Sequence, residues 1–179
     1  MMQGEKIRLR AMEPEDIDAL YDMENDLRHW DVSDTQMPFS RYTMEQYVLS
    51  CANQDIYSLK QVRLMICENG SGTAVGCIDL YDYQPQHQRA AVGIMVSEEH
   101  QRQGYASEAL GLLCRYAREI LHLHQLYCHI SASNRQSLHL FESNGFVRTA
   151  VLKEWRQSVD GRWEDTLLLQ HFLQESLAE

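Results

Sequence analysis

One stretch restricts the possible folds of this chain more than any other: GIMVSEEHQRQGYASEA, residues 93–109. The apolar run at residues 92–96 reads as a strand, and a short acidic turn follows. Gln101-Arg102-Gln103-Gly104-Tyr105-Ala106 then leads directly into the helical pattern SEALGLLCRYAREILHL, which starts at Ser107. A strand that ends in a glycine-bearing turn and reopens as a helix is a device for holding phosphate. The first helical turn carries N–H groups with no partner inside the helix, and the helix dipole favours an anion there. Gly104 lets the backbone approach that anion, Ala106 keeps the next turn slim, and Arg102 adds positive charge beside it. The ending Gly-Lys-Ser/Thr of a nucleotide P-loop is missing. So are the three glycines and the strand-borne acid of a dinucleotide fingerprint. Leu110, Leu113, Ala117 and Ile120 recur at helical spacing, which predicts a core-facing stripe.

A second block lies about 20 residues on. Residues 125–132 alternate as a strand does. Asn134 then suits a helix cap, Leu138 and Phe141 form an apolar face, and Gly145 suits the stop. The spacing Gln-x-x-Gly-x-Ala between strand and helix resembles the acetyl-CoA signature of the GNAT N-acetyltransferases. Asn134, Ser137, Phe141 and Gly145-Phe146, in that order, resemble the second conserved block of the same superfamily. The resemblance runs through nearly the whole chain, so residues 1–179 are expected to form one domain. LRAMEPEDI, EEHQRQGYASEAL, LHLHQLYCHISASN and LKEWRQSVDGRWEDTLLL are similar to the bacterial spermidine/diamine acetyltransferases and their relatives that acetylate ribosomal-protein N-termini.

The resemblance implies an α/β GNAT fold. Its mixed, mostly antiparallel central sheet holds a splayed parallel pair, residues 91–96 and 125–132, with helix 107–120 crossing between them and other helices flanking. It implies acetyl-CoA as co-substrate, held by Gln101, Arg102, Gln103, Gly104, Tyr105, Ala106 and Ser107. Asn134, Ser137 and Phe141 would lie against the pantetheine arm, and the backbones of Ile94, Met95 and Val96 would face the thioester carbonyl.

Acetyl transfer needs a neutral amine, although a primary amine near pKa 10 is mostly protonated at neutral pH. It also needs a base and a donor for the developing oxyanion. Many GNAT members carry a tyrosine that protonates the leaving thiolate; here that position is Phe141, which has no proton to give. No general acid is therefore assigned: the thiolate leaves bare, takes a proton from water, or takes one from Ser137 or Tyr105. Asp79 is the candidate base: strand parity puts Cys77, Asp79 and Tyr81 on one face and Ile78, Leu80 and Asp82 on the other, and the resemblance implies acids at comparable places on this strand. A solvated or turn-capping role for Asp79 stands beside that reading. Asp31, Asp34 and Asp82 are candidates for binding an acceptor's ammonium. Two departures from the spermidine enzymes weigh against that acceptor: the run of glutamates is missing, and Ala91 stands where an acid often does.

The formal charge of −10, from 26 acids against 16 Lys and Arg, speaks against nucleic acid and would attract a cationic acceptor, although an acidic balance is also a common solubility device. Five scattered cysteines without CxxC spacing predict reduced thiols in the cytoplasm and no zinc site. His122 and His124 are two residues apart and lack zinc-like partners, so they, with His129, are read as helix-terminal or interface polar groups rather than metal ligands. No apolar run reaches membrane-spanning length, and no secretory pattern opens the chain. Residues 25–41 read as one long connection, residues 68–73 as a hairpin turn, and Asp160-Gly161 as a second. Trp155 and Trp163 flank that second turn and suit hairpin packing or a dimer contact, with lining of the acceptor cleft as the alternative; a homo-oligomer is among the expected partners. Three functions follow in order: acetylation of a small polyamine-like amine, acetylation of a peptide N-terminus, and non-catalytic acyl-CoA binding.

Overall fold

The computed structural model describes residues 2–33, 35–158 and 160–173. Seven strands form one open sheet: β1 (Ile7–Ala11), β2 (Val62–Glu68), β3 (Ala74–Gln84), β4 (Arg89–Val96), β5 (Gln125–Ser131), β6 (Val147–Gln157) and β7 (Trp163–Phe172). Their order is β1-β2-β3-β4-β5-β7-β6. All neighbours run antiparallel except β4 and β5, which are parallel and therefore need a crossover. Helix α5 (Tyr105–Glu119) makes that crossover. The remaining helices are α1 (Ile17–Glu24), α2 (Leu27–Ser33), α3 (Arg41–Asn53), α4 (Ile56–Leu59) and α6 (Arg135–Ser143). Both expected hairpin turns are present, at residues 68–73 between β2 and β3 and around Asp160-Gly161 between β6 and β7.

Helices pack on both faces of the sheet and leave β6 exposed. On one, Leu110, Leu113 and Ala117 of α5 pack on Ile78, Leu80, Val92 and Leu126, with Leu138 and Phe141 of α6 beyond them. On the other, Leu20 and Met23 of α1 and Met44 and Val48 of α3 cover Met65, Cys67 and Cys77. The predicted stripe on α5 fails at its last position. The helix ends at Glu119, so Ile120 falls beyond it and is 64% exposed, and Leu123 takes the core place.

Residues 25–41 also differ from the expected long connection, because they contain α2. Asp26 starts it by accepting from the Arg28 N–H (3.0 Å), and the Trp30 indole donates to the Glu24 carbonyl (3.0 Å). Asn25 then clamps the far end of the segment, donating to the Phe39 carbonyl and accepting from the Phe39 N–H. Leu27 is exposed, so α2 is held by caps rather than by an apolar stripe, and periodicity does not reveal it.

Asp16 anchors the start of α1. It accepts from both Arg10 amino groups (2.6 and 2.8 Å) and from the Glu13 N–H (2.8 Å). Burial opposes its ionised form, but the hydrogen bonds from Arg10 and Glu13 outweigh that and leave its pKa below the usual carboxylate value. A lowered native pKa contributes stability above the unfolded value of about 4, and that stability is lost as pH falls through the native value. Asp16→Asn is expected to cost about 2 kcal/mol in urea unfolding at pH 7, and the gap to the parent should close towards pH 3. A gap that stays constant with pH would contradict the pairing.

Candidate active site

The loop between β4 and α5 is built to hold an anion. Arg102 and Gly104 both adopt left-handed backbone conformations, with φ of 61° and 85°. Among the described residues, the N–H groups of residues 102–107 find no acceptor, and the first that does is Glu108, bonded to the Gly104 carbonyl (3.1 Å). Successive free N–H groups around a left-handed turn form a concave anion nest at the positive end of the helix. Gln101 holds the end of β4, its amide donating to the Val96 carbonyl (3.2 Å). Ser107 donates to the Asn144 side chain (3.0 Å), which ties α5 to the end of α6. The Lys6 ammonium donates to the Gln103 carbonyl (3.0 Å) beside Gly104. No local motif marks Lys6, since β1 brings it to the loop from 97 residues away.

Tyr105 gives the nest its N–H but not its hydroxyl. The ring is buried and its OH donates to Glu68 Oε1 (2.6 Å) at the β2–β3 turn. That hydrogen bond, with burial, raises the Tyr105 pKa. The reading of Tyr105 as a substitute general acid is therefore corrected: its proton is committed to Glu68, away from the cleft.

The cleft itself follows from strand register. β4 and β5 pair only at Arg89↔Gln125, Ala90↔Leu126 and Ala91↔Tyr127, and separate beyond. On its other edge β4 stays paired with β3 without a break from Gly76↔Val96 to Tyr81↔Ala91. The Ser97 N–H donates to the Val75 carbonyl (2.9 Å), which sets the alternation of that ladder. Gly93 and Met95 thus turn their peptide groups towards β3, while Ile94 and Val96 turn theirs into the opening towards β5. Ile94 and Val96 therefore present peptide groups at the opening. Met95 does not, because its backbone is spent on β3 and its side chain packs with Cys77 on the opposite face.

Across the opening, Asn134 caps α6 by accepting from the Ser137 N–H (3.0 Å). Phe141 is buried edge-on against Phe146, with ring centroids 5.0 Å apart. It offers an apolar wall and no donor.

On the face covered by α1 and α3, Asp79 is held at both oxygens by Arg63, at 2.7 and 2.8 Å. Arg63 also bonds Glu24 and lies over the Tyr47 ring, whose OH accepts from Gln61 (2.8 Å). Two half-buried carboxylates thus share one guanidinium, leaving one negative charge. Sequence reading missed Arg63 because its partner is set by the register Arg63↔Asp79, which no local pattern shows.

Asp82 departs from strand parity. A bulge lies between Tyr81 and Gln84, and Asp82 sits in it with φ of 47°. The extra residue turns Asp82 outward and returns Tyr83 to the core. The Asp82 carboxylate accepts from the Tyr127 OH and from Gln84 (3.0 Å), which lowers its pKa. Burial and the Asp82 contact raise that of Tyr127. Asp31 lies on α2, but its side chain lies outside the described residues, as does all of Asp34. Arg89, Gln125, Tyr127, His129, Leu168 and Gln170 line a pocket of about 190 Å³ on this same face. Among the described residues no group of three His, Cys, Asp or Glu is placed to hold a metal, and no helix is long and apolar enough to cross a membrane.

The model of one family, described as an acetyltransferase (GNAT) domain, matches residues 6–147. A spermidine N(1)-acetyltransferase of Vibrio cholerae serotype O1 is 25% identical over 163 residues, 89% of each chain. The solved structure of a spermidine N-acetyltransferase from Vibrio cholerae, in complex with CoA and spermine, superposes with a TM-score of 0.85 at 23% identity. The match covers 94% of this chain and 96% of that one. A dodecameric structure of the Vibrio cholerae enzyme superposes with a TM-score of 0.77, also at 23% identity, over 96% of both chains.

Proposed function

We propose that this chain, a member of the GNAT acetyltransferase family, transfers acetyl from acetyl-CoA to a primary amine of a polyamine. The observation that carries the choice of acceptor is the Glu24–Arg63–Asp79 cluster, with Asp82 beyond it on the same face. It places uncompensated negative charge beside the opening between β4 and β5, where an ammonium is drawn in. The similarity to spermidine acetyltransferases over most of both chains supports the same reading.

In this reading the nest at residues 102–107, with Lys6 and Arg102, holds the CoA phosphates. The Ile94 and Val96 N–H groups meet the thioester carbonyl, and Asn134, Ser137 and Phe141 flank the pantetheine. Asp79, Asp82 and the acids of the α2 segment attract the acceptor. We place the chain in the cytoplasm, in keeping with its five free thiols, and assign it a homo-oligomeric working form. A peptide N-terminus is the second reading, favoured by the open surface of β6, where Val151 and Trp155 are exposed.

The test is a comparison of kcat/KM for spermidine, for butylamine, which lacks the distal charges, and for an alanine-initiated peptide. Spermidine is expected to exceed butylamine by at least about tenfold, roughly one well-placed charge contact of about 1.4 kcal/mol. Equal values, or a preference for the peptide, would overturn the polyamine reading.

A further inference from the structure

We propose that His129 is the group that takes the proton from the attacking amine. The parallel pairing of β4 and β5 ends at Ala91↔Tyr127, so the next two residues on that face are Gly93 and His129, one on each side of the widening gap. Gly93 has no side chain to close the gap. A Cβ added there would sit 3.5 Å from the Tyr81 ring and 3.8 Å from Asp79 Oδ2. The floor of the opening is therefore bare backbone, next to the Ile94 N–H that faces the thioester carbonyl. An amine that reaches that carbonyl through the gap passes between Asp79 and His129.

Of these two, Asp79 is ion-paired to Arg63 through both oxygens, which stabilises its charged form and weakens it as a base, whereas the His129 ring is engaged by no ion pair among the described residues. The His129 ring is exposed, rests edge-on against Tyr127 at 5.7 Å, and makes no hydrogen bond among the described residues. Other candidates are committed: the Tyr105 OH to Glu68, and the Tyr127 OH to Asp82. Phe141 carries no proton. The titratable and charged groups on this face around His129 are Tyr127 on its own strand, Arg89 on β4, Asp79, Tyr81 and Asp82 on β3, Arg63 on β2, Glu164 on β7 and Arg156 on β6. Histidine is the side chain suited to accept a proton near neutral pH.

The step balances as follows. The acceptor arrives as an ammonium and gives one proton to His129. The freed lone pair forms the C–N bond at the thioester carbonyl, and collapse of the tetrahedral intermediate breaks the C–S bond. The second nitrogen-bound proton passes to the departing thiolate, directly or through water, so the missing tyrosine hydroxyl is not required. His129 returns its proton to solvent.

The proposal rests on acetyl transfer to an amine, not on the polyamine being that amine. Spermidine and an alanine-initiated peptide are therefore both assayed, and whichever the parent acetylates reports on His129. The expected result for His129→Gln is a loss of about 10²- to 10³-fold in kcat/KM at neutral pH with unchanged acetyl-CoA affinity. The acid limb of the parent's pH profile should disappear, and added imidazole should restore part of the rate to His129→Ala. A loss below threefold would overturn the proposal. So would a larger loss that keeps the parent's pH profile and does not respond to imidazole, since that marks a structural role.

Discussion

Gly104→Leu is expected to weaken acetyl-CoA binding at least 100-fold in calorimetry while leaving the protein folded. Gly104 has φ of 85°, and an L-residue there costs about 1–2 kcal/mol. A Cβ at this point would also approach the Lys6 ammonium to 3.3 Å, so the added side chain displaces the loop's nearest cation and covers the nest. The pyrophosphate then loses several hydrogen bonds to N–H groups, each charge-assisted and worth about 1.5–3 kcal/mol. Gly104 is itself exposed and the core contacts of Tyr105 point away from it, so the melting temperature should fall by only a few degrees. An affinity within threefold of the parent would remove the cofactor from this loop.

Arg63→Met is expected to be the most destabilising single change, by about 3–5 kcal/mol at pH 7. It removes the guanidinium from between Glu24 and Asp79, whose side chains are only 14% and 20% exposed. Two carboxylates then face each other half-buried without a counter-charge. Adding Asp79→Leu should return part of the loss, because the pair is costly only when one side of it remains. A deficit under about 1 kcal/mol by urea unfolding would contradict the account of this cluster.

The motifs proposed to hold the cofactor were legible because they are local. A strand end, a glycine at positive φ and a helix start lie within 15 residues, as do the cap at Asn134 and the stop at Gly145. The splayed pair followed from the same two blocks. What stayed hidden depends on register or on distant partners. Arg63 meets Asp79 only through the β2–β3 ladder, Lys6 reaches the loop through β1, and the Tyr105 hydroxyl is claimed by Glu68 on another hairpin. Parity misled at Asp82, where a bulge reverses the side that the residue presents. The resemblance did not separate Met95 from its neighbours, although every second residue of an antiparallel strand turns its backbone to the paired strand, here β3. Helix α2 escaped notice because caps, not an apolar stripe, hold it.

Steady-state release of free thiol from acetyl-CoA, with spermidine as the sole amine, tests the central claim most directly. The account predicts thiol release that depends on spermidine and saturates with it, in step with one acetyl group gained per thiol by mass spectrometry. Acetyl-CoA binding without amine-dependent thiol release, from spermidine or from the peptide, would contradict it and leave a chain that holds the cofactor without using it.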